Sequence, residues 1–328
     1  MKKNVIILIL VVVALLSISI NIFQVVYNRI VSKEAALNAV CNRDLGNENY
    51  QLLSPDIAWL SVNDFLVKQQ HMTTSYQDIK APISLILQSA QGHYALYFED
   101  LDTGAWLGIN EKEEFMPLSL LKVPIMIATL KDVENGNISL DQHIIISKED
   151  IDNRSGDLWQ KGPGYDITIK DLLIELIKGS DNTAALVLTN RVISDSTLSE
   201  SVSAMGLPQS ENFTYITPKD YANMLRGLYF SNYLRRPFSE LALTIMLETD
   251  FNSQIPAGVP NTVKVAHKVG FYVNEGYYHD CGIVYASNTP YILCIMSKGG
   301  SPDEADRVMS QVSKIIYDRV TASNSVAK

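Results

Sequence analysis

Phe115-Met116-Pro117-Leu118-Ser119-Leu120-Leu121-Lys122-Val123-Pro124-Ile125-Met126-Ile127-Ala128-Thr129-Leu130 is the stretch on which the reading of this chain turns. From Leu118 to Leu130 it is apolar on nearly every side, which predicts a helix buried at the centre of a domain. A hydroxyl, Ser119, and an amine, Lys122, interrupt it at its start. A spacing of three puts them one turn apart on one face. A serine hydroxyl is a weak nucleophile until a base lies beside it, and a lysine serves as that base when burial depresses its pKa. Backbone N–H groups at the helix start add a place for an oxyanion. Ser-x-x-Lys alone is a weak signal, since Ser325 to Lys328 repeats it at the end of the chain.

The surrounding sequence predicts an amphipathic helix over 79–90, ended by Gly92, and a strand over 94–99. An Asp102-Thr103-Gly104 turn leads to a second strand over 106–109. Downstream, helices are expected over 167–177 and 183–192. A third opens at Thr217-Pro218, with Thr as N-cap and Pro at the first helical position, and runs to Tyr229. Strands over 263–268, 282–286 and 291–297 follow, the last two joined by Ser287-Asn288-Thr289-Pro290, and a helix over 302–320 closes the pattern. Strands from both ends of the domain can join one sheet. The expected fold is an α+β sandwich: a five-stranded antiparallel sheet, terminal helices on one face, and the helical block as an inserted all-α lobe.

Bulk properties fit a globular protein. Of 328 residues, 47% are apolar and 19% charged, and the net charge of -9 argues against a nucleic-acid partner, which would need a basic face. Lys2 and Lys3 precede an almost wholly apolar run from Val5 to Val26, long enough at ~1.5 Å per residue to cross ~30 Å of hydrocarbon. No small-x-small cleavage site follows it, so the run reads as an uncleaved anchor over residues 1–28. The lysine pair orients it with the remainder of the chain outside the cell membrane. Residues 29–74 read as a partly helical stalk and 75–322 as the folded domain. The three cysteines, Cys41, Cys281 and Cys294, make no disulfide framework; Cys281 and Cys294 lie on adjacent strands and are expected as small buried thiols.

Two further short stretches carry chemistry. Ser180-Asp181-Asn182 falls between two helices of the block, about sixty residues after Ser119, and Lys268-Val269-Gly270 ends a late strand. Taken singly, the first is a turn or cap and the second a solvated strand end. In order, Ser-x-x-Lys, Ser-Asp-Asn and Lys-x-Gly resemble the signature set of the class A β-lactamases and the wider penicillin-recognising enzymes. The flanking Phe115-Met116-Pro117-Leu118, Asp181-Asn182-Thr183-Ala184-Ala185 and Thr217-Pro218 are similar too, and the likeness spans about 79–320.

The resemblance implies an acyl-enzyme serine hydrolase with Ser119 as nucleophile and Lys122 as its base or proton relay. Ser180 would carry a proton to the leaving nitrogen, Asn182 would orient Lys122 and substrate, and Lys268 would give electrostatic support. Lys268, Val269 and Gly270 would line the substrate site with Asn182, and the N–H groups of Ser119 and Phe271 would form the oxyanion hole. Two departures stand out. Val269 occupies a position where that family carries Thr or Ser, whose hydroxyl binds substrate carboxylate. No Glu-x-x-Leu-Asn precedes Thr217, so a base for deacylation is missing unless Glu211 or Glu275 replaces it. The substrate is then a β-lactam or, for a D-alanyl-D-alanine peptidase, a peptidoglycan stem peptide; a third reading is a non-catalytic wall-binding protein. His267 and His279 flank the third motif without zinc-ligand spacing, so no metal or other cofactor is expected, and the catalytic domain is expected to be monomeric.

Overall fold

The computed structural model describes residues 50–54, 75–207, 215–286 and 289–326. Helix α1 (Lys80–Ser89) buries Ile83 and Leu87 and leads into the hairpin of β1 (His93–Asp100) and β2 (Trp106–Ile109). The Asp100 carboxylate accepts the N–H groups of Asp102 and Thr103, and Gly104, at φ +72°, takes the left-handed conformation that closes the turn. A short 3₁₀ turn, Leu118–Leu121, then opens α2 (Lys122–Glu134). A small hairpin of β3 (His143–Ile145) and β4 (Asp166–Thr168) precedes α3 (Ile169–Lys178), α4 (Asn182–Val187), α5 (Asp195–Ala204), α6 (Pro218–Tyr229) and α7 (Arg236–Met246). The chain returns through β5 (Lys264–Tyr272), β6 (Tyr277–Tyr285) and β7 (Tyr291–Lys298) and ends in α8 (Pro302–Val326).

The five strands lie in the order β2-β1-β7-β6-β5, every pairing antiparallel. Both faces of this sheet are covered. Along β1, Ala95 and Tyr97 join the core shared with the helical lobe, while Leu96 and Phe98 join the core under α1 and α8. A period of two delivers alternate side chains to the two layers, which is why the strand reads as one continuous apolar run. The five-stranded α+β sandwich with an inserted helical lobe is the observed architecture.

Several boundaries moved. The expected helix over 167–177 begins at Ile169, because Ile167 and Thr168 pair with Ile144 and His143 and Thr168 caps the helix by accepting the Asp171 N–H. The helix expected over 183–192 ends in a π-helical turn, Leu188–Val192. Helices α5 and α7 were not anticipated. The serine-rich α5 offers little apolar contrast to read, and only Ser201 and Val202 of it are buried. The β5–β6 hairpin is longer than expected, reaching Tyr272 and Tyr277 across a turn whose Gly276 has φ +66°.

The expected buried thiols are a further correction: Cys281 and Cys294 are directly opposite each other in the β6–β7 register and are joined as a disulfide. Direct opposition across an antiparallel pair brings the two Cβ atoms to bonding range. Part of the segment read as stalk belongs to the domain. Leu52 and Leu53 are 3% and 5% exposed within the main core. Their stretch is tied down by the N–H groups of Gln51 and Leu52 donating to Glu240, Ser54 N–H donating to Tyr229 O, and the Tyr285 hydroxyl donating to Leu52 O. Among the described residues no helix is long and apolar enough to cross a membrane, and the Val5–Val26 run lies outside them.

Two outcomes follow from this packing. Leu52→Ala should cost about 2–4 kcal/mol in chemical unfolding, whereas a solvated stalk position would cost almost nothing. Alkylating the unfolded, unreduced chain should label Cys41 alone, with Cys281 and Cys294 joining it only after reduction.

Candidate active site

The nucleophile turn is held from three sides. Phe115 forms an isolated bridge with Ile216, exchanging N–H···O bonds at 2.9 Å in both directions. His279 on β6 approaches Met116 O through Nε2 at 2.9 Å, while the Ser297 N–H donates to its Nδ1 at 3.3 Å. The same Nδ1 also lies 2.8 Å from Tyr278 O, so each ring nitrogen of His279 faces a carbonyl oxygen. Burial pushes its pKa down to about 4, so it stays neutral at physiological pH. The Tyr221 hydroxyl donates to Leu120 O at 3.2 Å. Between these anchors Leu118 adopts φ +54°, an unfavourable conformation for a branched side chain that the surrounding contacts impose.

Gly270 on β5 lies against this turn. A Cβ there would come within 3.1 Å of Pro117 O and 3.4 Å of Leu120 N. The absence of a side chain is what lets the sheet edge approach the nucleophile, and Phe271, the next residue, is thereby placed beside Ser119's turn.

The middle motif is folded with equal constraint. Ser180 has φ +53° and is buried, and Asp181 caps α4 through the Ala184 N–H at 2.9 Å while also accepting the Leu158 N–H at 2.8 Å. Gly156 passes so close that any Cβ on it would overlap the Asp181 carboxylate. Asn182 donates from Nδ2 to Asp152 at 3.3 Å, and the neighbouring Arg154 holds the Asp152 carboxyl down to about 2.

Lys122 joins the first two motifs, and Lys268 brings in the third through Ser180. Its Nζ lies 3.3 Å from Ser119 Oγ, 3.1 Å from Ser180 Oγ, 2.5 Å from Ser180 O and 2.7 Å from Asn182 Oδ1. Lys268 Nζ reaches the same Ser180 Oγ at 2.9 Å and Val269 O at 2.9 Å. Burial lowers the Lys122 amine to about 8, although Asp181 and Asp152 favour its charged form. Burial also pushes Lys268 well down, helped by the charge of Lys122 and opposed by Asp280. Lys122 is the amine in contact with Ser119 Oγ, and its lowered pKa lets it accept the Ser119 proton as the pH approaches 8.

All five side chains expected from the sequence thus converge: Ser119, Lys122, Ser180, Asn182 and Lys268. Val269 is buried and offers no hydroxyl. Of the two candidate replacement bases, Glu275 is exposed in the turn between β5 and β6, and Glu211 lies outside the described residues. Asp152, Tyr221 and His279 were not assigned roles from sequence, because each acts through a contact between segments far apart in the chain. No cluster of metal-ligating side chains occurs among the described residues. A cavity of about 320 Å³, lined by Leu158, Tyr165 and Glu175 among others, lies on the β3–β4 side of the lobe and does not include Ser119.

A hydroxyl beside a buried amine, with a second hydroxyl and a second amine completing the relay, on an α+β sheet with a helical lobe, defines a serine hydrolase site. Matching the model of the beta-lactamase enzyme family over residues 76–320, the chain belongs to that family. It is 22% identical over 274 residues to a beta-lactamase of Phocaeicola vulgatus, covering 72% of this chain and 82% of that one. Beta-lactamase VEB-1 of Pseudomonas aeruginosa is 23% identical over 240 residues, covering 65% and 80%. Among solved structures, PBP-A superposes with a TM-score of 0.69 at 23% identity over 76% of this chain and 98% of that one. The L158E mutant of PBP-A, solved as an acyl-enzyme complex with penicillin G, gives a TM-score of 0.69 at 24% identity over the same shares.

The pH dependence of acylation checks the assignment of the base. The rate at which Ser119 is acylated should rise with pH through an inflection near 8, as the neutral fraction of Lys122 grows. Asp152→Asn removes an anion that favours the ammonium and releases Arg154, so the inflection should move downward. A flat profile through this range would place the base elsewhere.

Proposed function

We infer that the chain is a membrane-anchored, extracytoplasmic serine hydrolase that attacks strained or activated amides of the β-lactam class through an acyl-enzyme on Ser119. The observation that carries this reading is the Lys122 amine held between Ser119 Oγ, Ser180 Oγ and Asn182 Oδ1. Lys122 takes the Ser119 proton as Oγ adds to the carbonyl carbon. The N–H groups of Ser119 and Phe271 receive the developing oxyanion. Ser180, between the two amines, hands a proton to the departing nitrogen, and Lys268 keeps that hydroxyl oriented. The PBP-A mutant's penicillin complex supports a β-lactam as acyl donor. The anchor rests on the Lys2-Lys3 pair and the apolar run from Val5 to Val26.

A D-alanyl-D-alanine peptidase is the second reading, favoured by one feature: the short interval from Gly206 to Thr217 lacks Glu-x-x-Leu-Asn. Without a base to activate water, the acyl group is removed slowly, which suits a peptidase that β-lactams trap. Full-length protein in detergent, incubated with an excess of fluorescent penicillin, should become labelled on Ser119 and keep the label through a chase. A chromogenic cephalosporin should be turned over slowly, and Ser119→Ala should do neither. Rapid cephalosporin turnover would establish an efficient deacylating base; absence of any Ser119-dependent adduct would leave a binding protein.

A further inference from the structure

The cavity of about 320 Å³ on the β3–β4 side of the lobe is a second formed space, separate from Ser119. Leu158 and Ile167, both buried, and the half-buried Ile174 of α3 give it apolar surface. Much of the remaining lining is acidic. Asp166 is taken by His143 Nδ1 at 3.0 Å, while Asp171 and Asp157 accept only neutral donors, Thr168 Oγ1 and Gln160 Nε2, at 2.7 Å each. Glu175 has less: among the described residues no hydrogen-bond donor meets its carboxylate. Lys161 lies on the same lining, its Nζ 5.7 Å from the centroid of the Tyr165 ring, which is 39% exposed.

Burial raises the Glu175 carboxyl above its ordinary range; the charges of Asp181, Asp157 and Asp171 add to this and that of Lys178 opposes it. What the cavity lacks is a cation. A metal ion would need several of these groups to converge, and among the described residues no such cluster forms. An ammonium on an aliphatic stem needs one carboxylate for its charge and a strip of apolar surface for its methylenes, and an aromatic ring beside it adds attraction. The cavity also touches the catalytic loop. Leu158 N–H donates to the Asp181 carboxylate at 2.8 Å, and Glu175 O accepts the Asp181 N–H at 3.1 Å. Asp181 in turn favours the charged form of Lys122, as does Asp152, with Arg154 acting against it. Lys268 meets the same amine through Ser180 Oγ.

We propose that this cavity binds a primary alkylammonium, its charge on Glu175 and its methylenes along Leu158, Ile167 and Ile174, and that occupancy is transmitted through Asp181 to Lys122. Binding stands by itself; its transmission rests on the acyl-enzyme reading. The bound cation offsets the field that Asp181 exerts on Lys122. The Lys122 amine then gives up its proton more readily, and acylation of Ser119 at neutral pH becomes faster. Such a group is carried by a free diamine or by the side chain of a diamino acid within a peptide.

Titration calorimetry of full-length protein in detergent should show saturable binding of pentylamine. 1-Pentanol, which lacks the charge, and methylamine, which lacks the stem, should bind roughly tenfold more weakly or worse. Cadaverine and Nα-acetyl-lysine methylamide separate the two sources, the tighter binder naming the one the site fits. Glu175→Gln, shown by its melting curve to be folded, should weaken pentylamine by roughly tenfold. Saturating pentylamine should speed labelling of Ser119 by fluorescent penicillin at pH 7 about twofold or more, corrected for direct aminolysis, and leave Glu175→Gln unchanged. No saturable amine binding, or binding as tight by 1-pentanol or by Glu175→Gln, would overturn the proposal. Binding without faster labelling would overturn its transmission to Lys122. No Ser119 adduct, with amine binding intact, would overturn the hydrolase reading and leave the alkylammonium site standing.

Discussion

A buried amine is costly unless its surroundings supply acceptors, and Lys122 has four of them drawn from two segments of chain, the nucleophile turn and the Ser180–Asn182 loop. That requirement organises the site. Ser180 must present both its carbonyl and its hydroxyl to one nitrogen, which it does from a left-handed conformation. Asn182 must turn its carbonyl oxygen inward, which its amide contact to Asp152 enforces. The same burial that makes the amine expensive makes it useful, because an ammonium in water would hold its proton too firmly to take one from a serine hydroxyl.

The two layers of the protein contribute differently to this arrangement. The helical lobe supplies Lys122, Ser180 and Asn182 from elements packed into one core, so their mutual geometry is rigid. The sheet supplies Lys268 from its edge strand β5, and the edge reaches the lobe only because Gly270 presents no side chain to Pro117 and Leu120. His279 ties the next strand to the nucleophile turn through Met116. Ser180 Oγ, bonded to an amine from each layer, is where lobe and sheet meet chemically.

Local strain at Leu118 and Ser180 follows from the same logic. Each holds a backbone conformation that its side chain disfavours, and each is adjacent to or part of the reacting group. Packing elsewhere in the domain over-determines these positions, so the cost is spread through the fold and the reacting atoms are already in place before substrate arrives.

Local patterns carried much of this in the sequence. The apolar run from Leu118 to Leu130 marked a buried helix, short apolar runs bounded by turn residues marked the five strands, and three short motifs, taken together as a family resemblance, named Ser119, Lys122, Ser180, Asn182 and Lys268. These signals are legible because periodicity and residue chemistry are local. The polar helix α5, the pairing of Cys281 with Cys294, the docking of Leu52 and Leu53, and the parts played by His279, Tyr221 and Asp152 were not legible. Each depends on which distant segment lies alongside, and no period or spacing encodes that. Sequence determined which groups could react; tertiary packing decided their distances and their protonation, because burial is a property of the assembled chain.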